Sequence, residues 1–315
     1  QGRPSLGSWL TYGLGGQTNE LPAYVAMTDP GGLPVEGVLN WSNGWLPSLF
    51  QGTVLRPAEP RILNLDRPAN YSPTLQAGFL EAVNRLNQKH LSSRPREQEL
   101  HARIANFKLA QRMQTSATEA LDLSRETKAT HRMYGLDDET TREFGQRCLI
   151  ARRLVERGVR FVQLFTKNQF WDHHGSLMNS LPKSCKKIDR PSAALVKDLK
   201  QRGMLDNTVV HWGGEMGRLP VIQNDTGLSN VGRDHNTYGF TMWVAGGGFR
   251  QGGTLGATDE FGHHAVEDKV NHFDYHATLL SLFGMDPAKL VFKRNGRAQS
   301  LLDGQPGRVI PGLLA

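Results

Sequence analysis

Cysteine is scarce in this chain: only Cys148 and Cys185 occur among 315 residues, too few to staple a domain of that size, so a disulfide framework is excluded. Long apolar runs are missing as well. No stretch approaches the roughly 18 uninterrupted apolar residues that a membrane-spanning helix requires, and no membrane span is expected. The opening Gln1-Gly2-Arg3-Pro4 reads as no secretory leader, which leaves location open. Internal repeats and low-complexity tracts are absent. No basic strand interleaved with aromatic residues offers a platform for single-stranded nucleic acid. The Lys and Arg of RPREQELHARIANFKLAQR are interleaved with Glu, as on a solvated helix face. Nucleic acid is therefore not an expected partner, although the net charge of +7 can steer an anionic ester towards a cleft.

What is present is an ordinary globular composition, 38% apolar and 21% charged, long enough for one large domain or two ordinary ones. Residues 1–72 are rich in loops, with one short strand, AYVAM, followed by a turn at Asp29-Pro30-Gly31-Gly32. Residues 73–140 read as helical, Pro73 suiting a first turn and Leu75, Phe79, Val83 and Leu86 recurring every three or four positions. This stretch is expected to be an insertion or cap on a sheet core spanning 141–315.

Beyond 140 helix and strand alternate. TREFGQRCLIARRLVERG is an amphipathic helix stopped by Gly158, and PSAALVKDLKQRG a second stopped by Gly203. VRFVQLF, NTVVHW and FTMWVAGGG are apolar strands, and HFDYHATLLSLFG closes the pattern as a helix. The alternation predicts an α/β fold in which these three strands share one mostly parallel sheet covered on both faces. In such sheets ligands gather beyond the carboxyl ends of the strands.

That is where the unusual residues fall. Eight of the eleven histidines lie between 173 and 276, about a third of the chain. Trp171-Asp172-His173-His174-Gly175 follows the first of these strands, and Gly213-Gly214-Glu215-Met216-Gly217-Arg218 the second. Gly232-Arg233-Asp234-His235-Asn236 precedes the third, and His263-His264 and His272-x-Asp274-x-His276 lie beyond it. Imidazole nitrogen and carboxylate oxygen are the donors a divalent ion such as zinc takes, and Arg218 and Arg233 are placed to pair with phosphate or sulfate oxygens. Each cluster alone has a plainer reading. Asp172 can brace its own loop, Glu215 can cap a following helix, and His211 can pack inside a strand. Asp274 is expected to be the N-cap of the last helix, with His276 facing solvent or core.

At these motifs the chain resembles the group catalogued as domain of unknown function 1501, relatives of the sulfatases within the alkaline phosphatase superfamily. The likeness runs through RPSLGSWLTYGLG, WSNGWLPSLFQGT, WDHHG, GGEMGR, GRDHN, GGTLGATDEFG and HFDYHATLLSLFGMD. It implies a three-layer alkaline phosphatase-like fold with one or two divalent ions, among which zinc, manganese, calcium and magnesium are not distinguished. Asp172 and His174 resemble one ligand pair, Glu215 a second carboxylate, and Asp234 and His235 the late ligand segment. It further implies hydrolysis of a sulfate or phosphate ester on a small molecule or polysaccharide, in the periplasm or outside the cell. The alternative is a non-catalytic binding or surface protein on the same fold. Neither cysteine lies in the C-x-P-x-R context that sulfatases convert to formylglycine. The family's usual GRDHH reads GRDHN here, with Asn236 in place of histidine. Members also carry an earlier strand ending in an Asp ligand. The expectation is that this strand and the nucleophile lie upstream of Gln1.

Overall fold

The computed structural model describes residues 2–223, 227 and 230–315 of the chain. It is a mixed α/β structure that divides into two compact units.

The first unit comprises residues 1–125 and 153–168. It holds α1 (Leu6–Leu14), β1 (Tyr24–Met27), β2 (Thr53–Leu55), α2 (Pro73–Ser93), α3 (Gln98–Leu121) and β3 (Phe161–Leu164). The strands form a parallel sheet in the order β2-β1-β3, with Val25 opposite Thr53 and Val162. A central parallel strand is covered on both faces, and Tyr, Val, Ala and Met of β1 are all buried. The Tyr24 hydroxyl donates to Gln163 Oε1 at 2.5 Å. Its ring leaves no room at Gly7, where a Cβ would lie 2.5 Å from Phe161 and 2.6 Å from Tyr24. Helix α2 begins as its sequence suggests, with Ser72 capping Leu75 N and Pro73 in the first turn. Leu75, Phe79 and Leu86 of its apolar stripe are exposed.

The second unit comprises residues 126–152 and 169–315. It holds α4 (Lys128–Met133), most of α5 (Glu139–Glu156), α6 (Leu177–Gln201) and α7 (His272–Leu282). Helix α5 ends as predicted, Gly158 taking φ +85° while Val159 N reaches back to Leu154 O at 3.0 Å. Cys148 is buried on it. Helix α6 starts fourteen residues before the expected Pro191 and carries both Pro182 and Pro191 inside it.

The strands of this unit are short two-stranded pairs: β4 (Val210–Trp212) with β7 (Trp243–Ala245), β5 (Gly217–Arg218) with β6 (His235–Asn236), β8 (Ala257–Thr258) with β9 (Ala265–Glu267), and β10 (Val291–Arg294) with β11 (Arg297–Ser300). All are antiparallel. The expectation that VRFVQLF, NTVVHW and FTMWVA share one mostly parallel sheet is therefore corrected. The first pairs with β1, whereas among the described residues the other two pair with each other. The reason lies in the connection. A parallel return needs a crossover, usually a helix, and no helix is assigned between Trp212 and Trp243 among the described residues. Across that pair Trp212 faces Trp243 in register, the rings 6.5 Å apart and nearly parallel, and Trp171 meets Trp212 edge-on at 5.9 Å.

Candidate metal centre

The site begins with a loop that must approach a second loop very closely. In the segment before α6, Gln169 and Ser176 both adopt positive φ. Backbone bonds then tie it to residues 230–233: Ser176 N to Asn230 O at 3.3 Å, Leu177 N to Val231 O at 3.0 Å, and Arg233 N to His173 O at 3.1 Å. At the crossing stands Gly232, where a Cβ would lie 2.0 Å from the His174 carbonyl carbon. Only glycine lets the two backbones touch. Gly232→Ala is expected to push the loops apart, costing roughly 1–3 kcal/mol of stability and weakening any metal binding, as read by thermal unfolding with and without added ion.

The β5–β6 ladder supplies the other side. It sets Arg218 directly across from His235. Three nitrogen-bearing side chains then converge on one atom, Asp172 Oδ1: His174 Nε2 at 3.0 Å, His235 Nε2 at 2.9 Å and the Arg218 guanidinium. One donor atom from each of Asp172, His174 and His235 lies within 4.8 Å of the others. The two imidazole rings are 4.9 Å apart. Partial burial pushes the Asp172 carboxyl up, but hydrogen bonds from Arg218 and His235 outweigh it and bring the pKa down to about 2. A depressed carboxylate pKa stabilises the fold at pH values above the ordinary Asp range and loses that contribution as pH falls towards 2.

The other nitrogen of His174 decides how the ring is used. Nδ1 lies 2.6 Å from Gln223 Oε1. An amide oxygen only accepts, so Nδ1 carries the proton, and in the neutral ring the Nε2 lone pair faces the Asp172 oxygen. The Arg218 guanidinium already places a positive charge on that oxygen, and a metal ion beside the two atoms 3.0 Å apart would take up the Nε2 lone pair. A histidine held through its second nitrogen while the first faces a carboxylate is the arrangement that metal-ligating imidazoles use. The donor set fits a divalent ion.

The remaining candidate residues stand further out. Asp234 Oδ1 accepts from His235 N at 2.8 Å and lies 3.9 Å from His174 Nδ1, on the rim. Glu215 is exposed and outside the three-residue group, and β5 rather than a helix follows it. Arg218 is engaged with Asp172 and, at 3.1 Å, with the Arg233 carbonyl, while the Arg233 side chain is exposed. His173 has its Nε2 buried with no hydrogen-bond partner among the described residues, and burial followed by the Arg218 charge lowers its pKa.

Asn236, where the resembled family carries histidine, is a brace. It is buried, its amide donates to His263 O at 2.8 Å, and its oxygen accepts from Tyr238 N at 2.9 Å. The expected N-cap role of Asp274 is corrected. Asn271 caps α7 through Asp274 N, and the buried Asp274 carboxylate instead accepts from Arg308 N at 2.9 Å and its guanidinium at 3.0 Å. His211, expected to pack inside its strand, is exposed there, with its Nδ1 2.7 Å from the Tyr275 hydroxyl, and burial pushes His276 down to about 4. Gln223 was not legible as a site residue, since no motif surrounds it.

No match was found among curated proteins or among solved structures. A family model described as "Protein of unknown function (DUF1501)" matches residues 1–314. The chain belongs to the DUF1501 family.

Proposed function

We propose that the protein is a metal-dependent hydrolase of sulfate or phosphate esters whose divalent ion is held by Asp172, His174 and His235. The observation that carries this reading is the Gln223–His174–Asp172 alignment, in which the protonated Nδ1 leaves an Nε2 lone pair aimed at a carboxylate. The motif resemblance supports the sulfatase-like reaction and the alkaline phosphatase superfamily, and on the same ground the protein works in the periplasm or outside the cell. A bound divalent ion would polarise an ester oxygen or a water. Zinc, manganese, calcium and magnesium all remain open to this donor set.

The chain's own residues have separable tasks. Asp172 brings the negative charge, and Arg218 fixes its orientation from across the β5–β6 ladder. Gln223 sets the His174 tautomer. Arg233, exposed beside the rim carboxylate Asp234, is the side chain left to meet the oxygens of an anionic ester. Metal analysis of the purified protein, followed by assays with an aryl sulfate and an aryl phosphate, tests the reading. Gln223→Ala is expected to lower metal affinity roughly 10–100-fold while leaving the three ligands in place. Unchanged affinity would show that Gln223 does not orient His174.

The alternative, a non-catalytic binding protein, draws on the openness of the site. The side chains of His235 and Asp234 are 42% and 53% exposed, so water is poorly excluded from the ligands. Stoichiometric metal without turnover of either ester would favour it.

A further inference from the structure

The basic excess is concentrated rather than spread. Helix α6 carries six cations (Lys183, Lys186, Lys187, Arg190, Lys197, Lys200) against two acids (Asp189, Asp198), a net +4 out of the chain's +7. Part of that charge lines an open groove of about 840 Å³ between α4 and α6, which shares no residue with the metal centre. Arg132 comes from α4, and Arg190, Lys197 and the following Arg202 from the α6 side. Arg190 and Lys197 are seven residues apart on one helix face, and the small side chains of Ala193 and Ala194 between them leave the space open.

Arg190 is tied to Asp137 at 3.0 Å and to the Arg132 carbonyl, which fixes the mouth of the groove. The charged ends of Arg132 and Lys197 are exposed and have no acidic partner among the described residues. Asp198 at the floor is already held by Arg152, Arg202 and Tyr134. The groove thus presents unneutralised positive charge on small apolar walls, and no aromatic ring lines it.

From this we infer that the α4–α6 groove is a docking site for an acidic peptide segment of a partner protein. Guanidinium forks suit carboxylates bidentately. A sugar chain or single-stranded nucleic acid would call for an aromatic surface to stack on, which is missing. Acidic side chains of the peptide would meet Arg132 and Lys197, the groove cations without an acidic partner among the described residues.

The test is a fluorescence anisotropy titration of the full chain with a labelled peptide of repeated Glu-Ser-Gly units at low and moderate salt. Binding should weaken as salt rises. Arg132→Glu and Lys197→Glu should each weaken it roughly tenfold, the corresponding Gln variants less, and Lys293→Glu on β10 should leave it unchanged. All five carry exposed substitutions, and thermal unfolding confirms that each variant folds. Failure of the peptide to bind, or equal binding by the charge-reversed variants, would overturn the inference. So would tighter binding of a sulfated polysaccharide or of single-stranded DNA that the same variants abolish. Metal content is read separately, so the groove stands or falls independently of the metal centre.

Discussion

Asp172→Ala is expected to strip the centre of metal, lowering affinity by more than about 100-fold, beyond the loss typical of an outer-shell partner. The reason is that one oxygen organises everything. Both histidine Nε2 atoms and the Arg218 guanidinium meet at Asp172 Oδ1. Without it the Arg218 charge faces the two imidazoles unneutralised, and a divalent cation is repelled rather than held. Asp172→Asn keeps the shape and removes only the charge, so it should lose the ion almost as completely. His235→Ala should follow. Stability should fall modestly at neutral pH, where the ion pairs of Asp172 contribute, while backbone bonds and Gly232 still hold the loop. Competition with a chelating dye gives the affinities, and the two ester assays report whether turnover falls with the metal. Retention of a full equivalent of metal by Asp172→Ala would remove this centre from the proposed function.

How much of this could be read beforehand depends on the range of each interaction. Helix α5 and its Gly158 stop were legible because periodicity and the αL requirement are local. The start of α6 was not, since Pro182 and Pro191 read as breakers while the helix runs through both. Strand identity in β3, β4 and β7 was also legible. Their partners were not, because pairing is non-local and the alternation of helix and strand read as parallel. The helix cap of α7 was misplaced by one turn, since Asp274 and Asn271 are both good caps and only the structure shows Arg308 claiming the former.

At the site, the DHH and RDH segments carried Asp172, His174 and His235 openly, as residue types that bind metal. The residues that arrange them did not announce themselves. Gln223 is one amide in a loop, and Gly232 looks like any turn glycine until the His174 backbone is found against it. Arg218 looked like an anion clamp and is instead engaged with a carboxylate. Chemistry-bearing residues show in composition, whereas their supports show only in contact.

The second large effect is on stability. Arg152 is 1% exposed and lies between two carboxylates, Glu126 Oε1 at 2.6 Å and Asp198 Oδ2 at 3.0 Å, which are themselves 8% and 6% exposed. The Tyr134 hydroxyl donates to Asp198 at 3.0 Å, and burial together with the Asp198 charge pushes that hydroxyl's pKa up. Removing the cation leaves two acids in a poorly solvated place, with the partly exposed Arg202 as a remaining cationic neighbour. Arg152→Ala is therefore expected to cost about 3–5 kcal/mol, the range for breaking a buried ion pair from one side. Arg152→Met separates charge from volume. It refills the space, so a comparable loss would assign the effect to the stranded carboxylates and a much smaller one to the cavity. Adding Asp198→Asn to Arg152→Met should then restore part of the stability. Acid provides a further check. Stranded carboxylates take up protons more readily than paired ones, so the deficit of Arg152→Met relative to the parent should shrink as pH is lowered through the carboxylate range. Urea midpoints at neutral and mildly acidic pH would show it. A deficit that stays constant with pH would mean that Arg152 acts by packing alone.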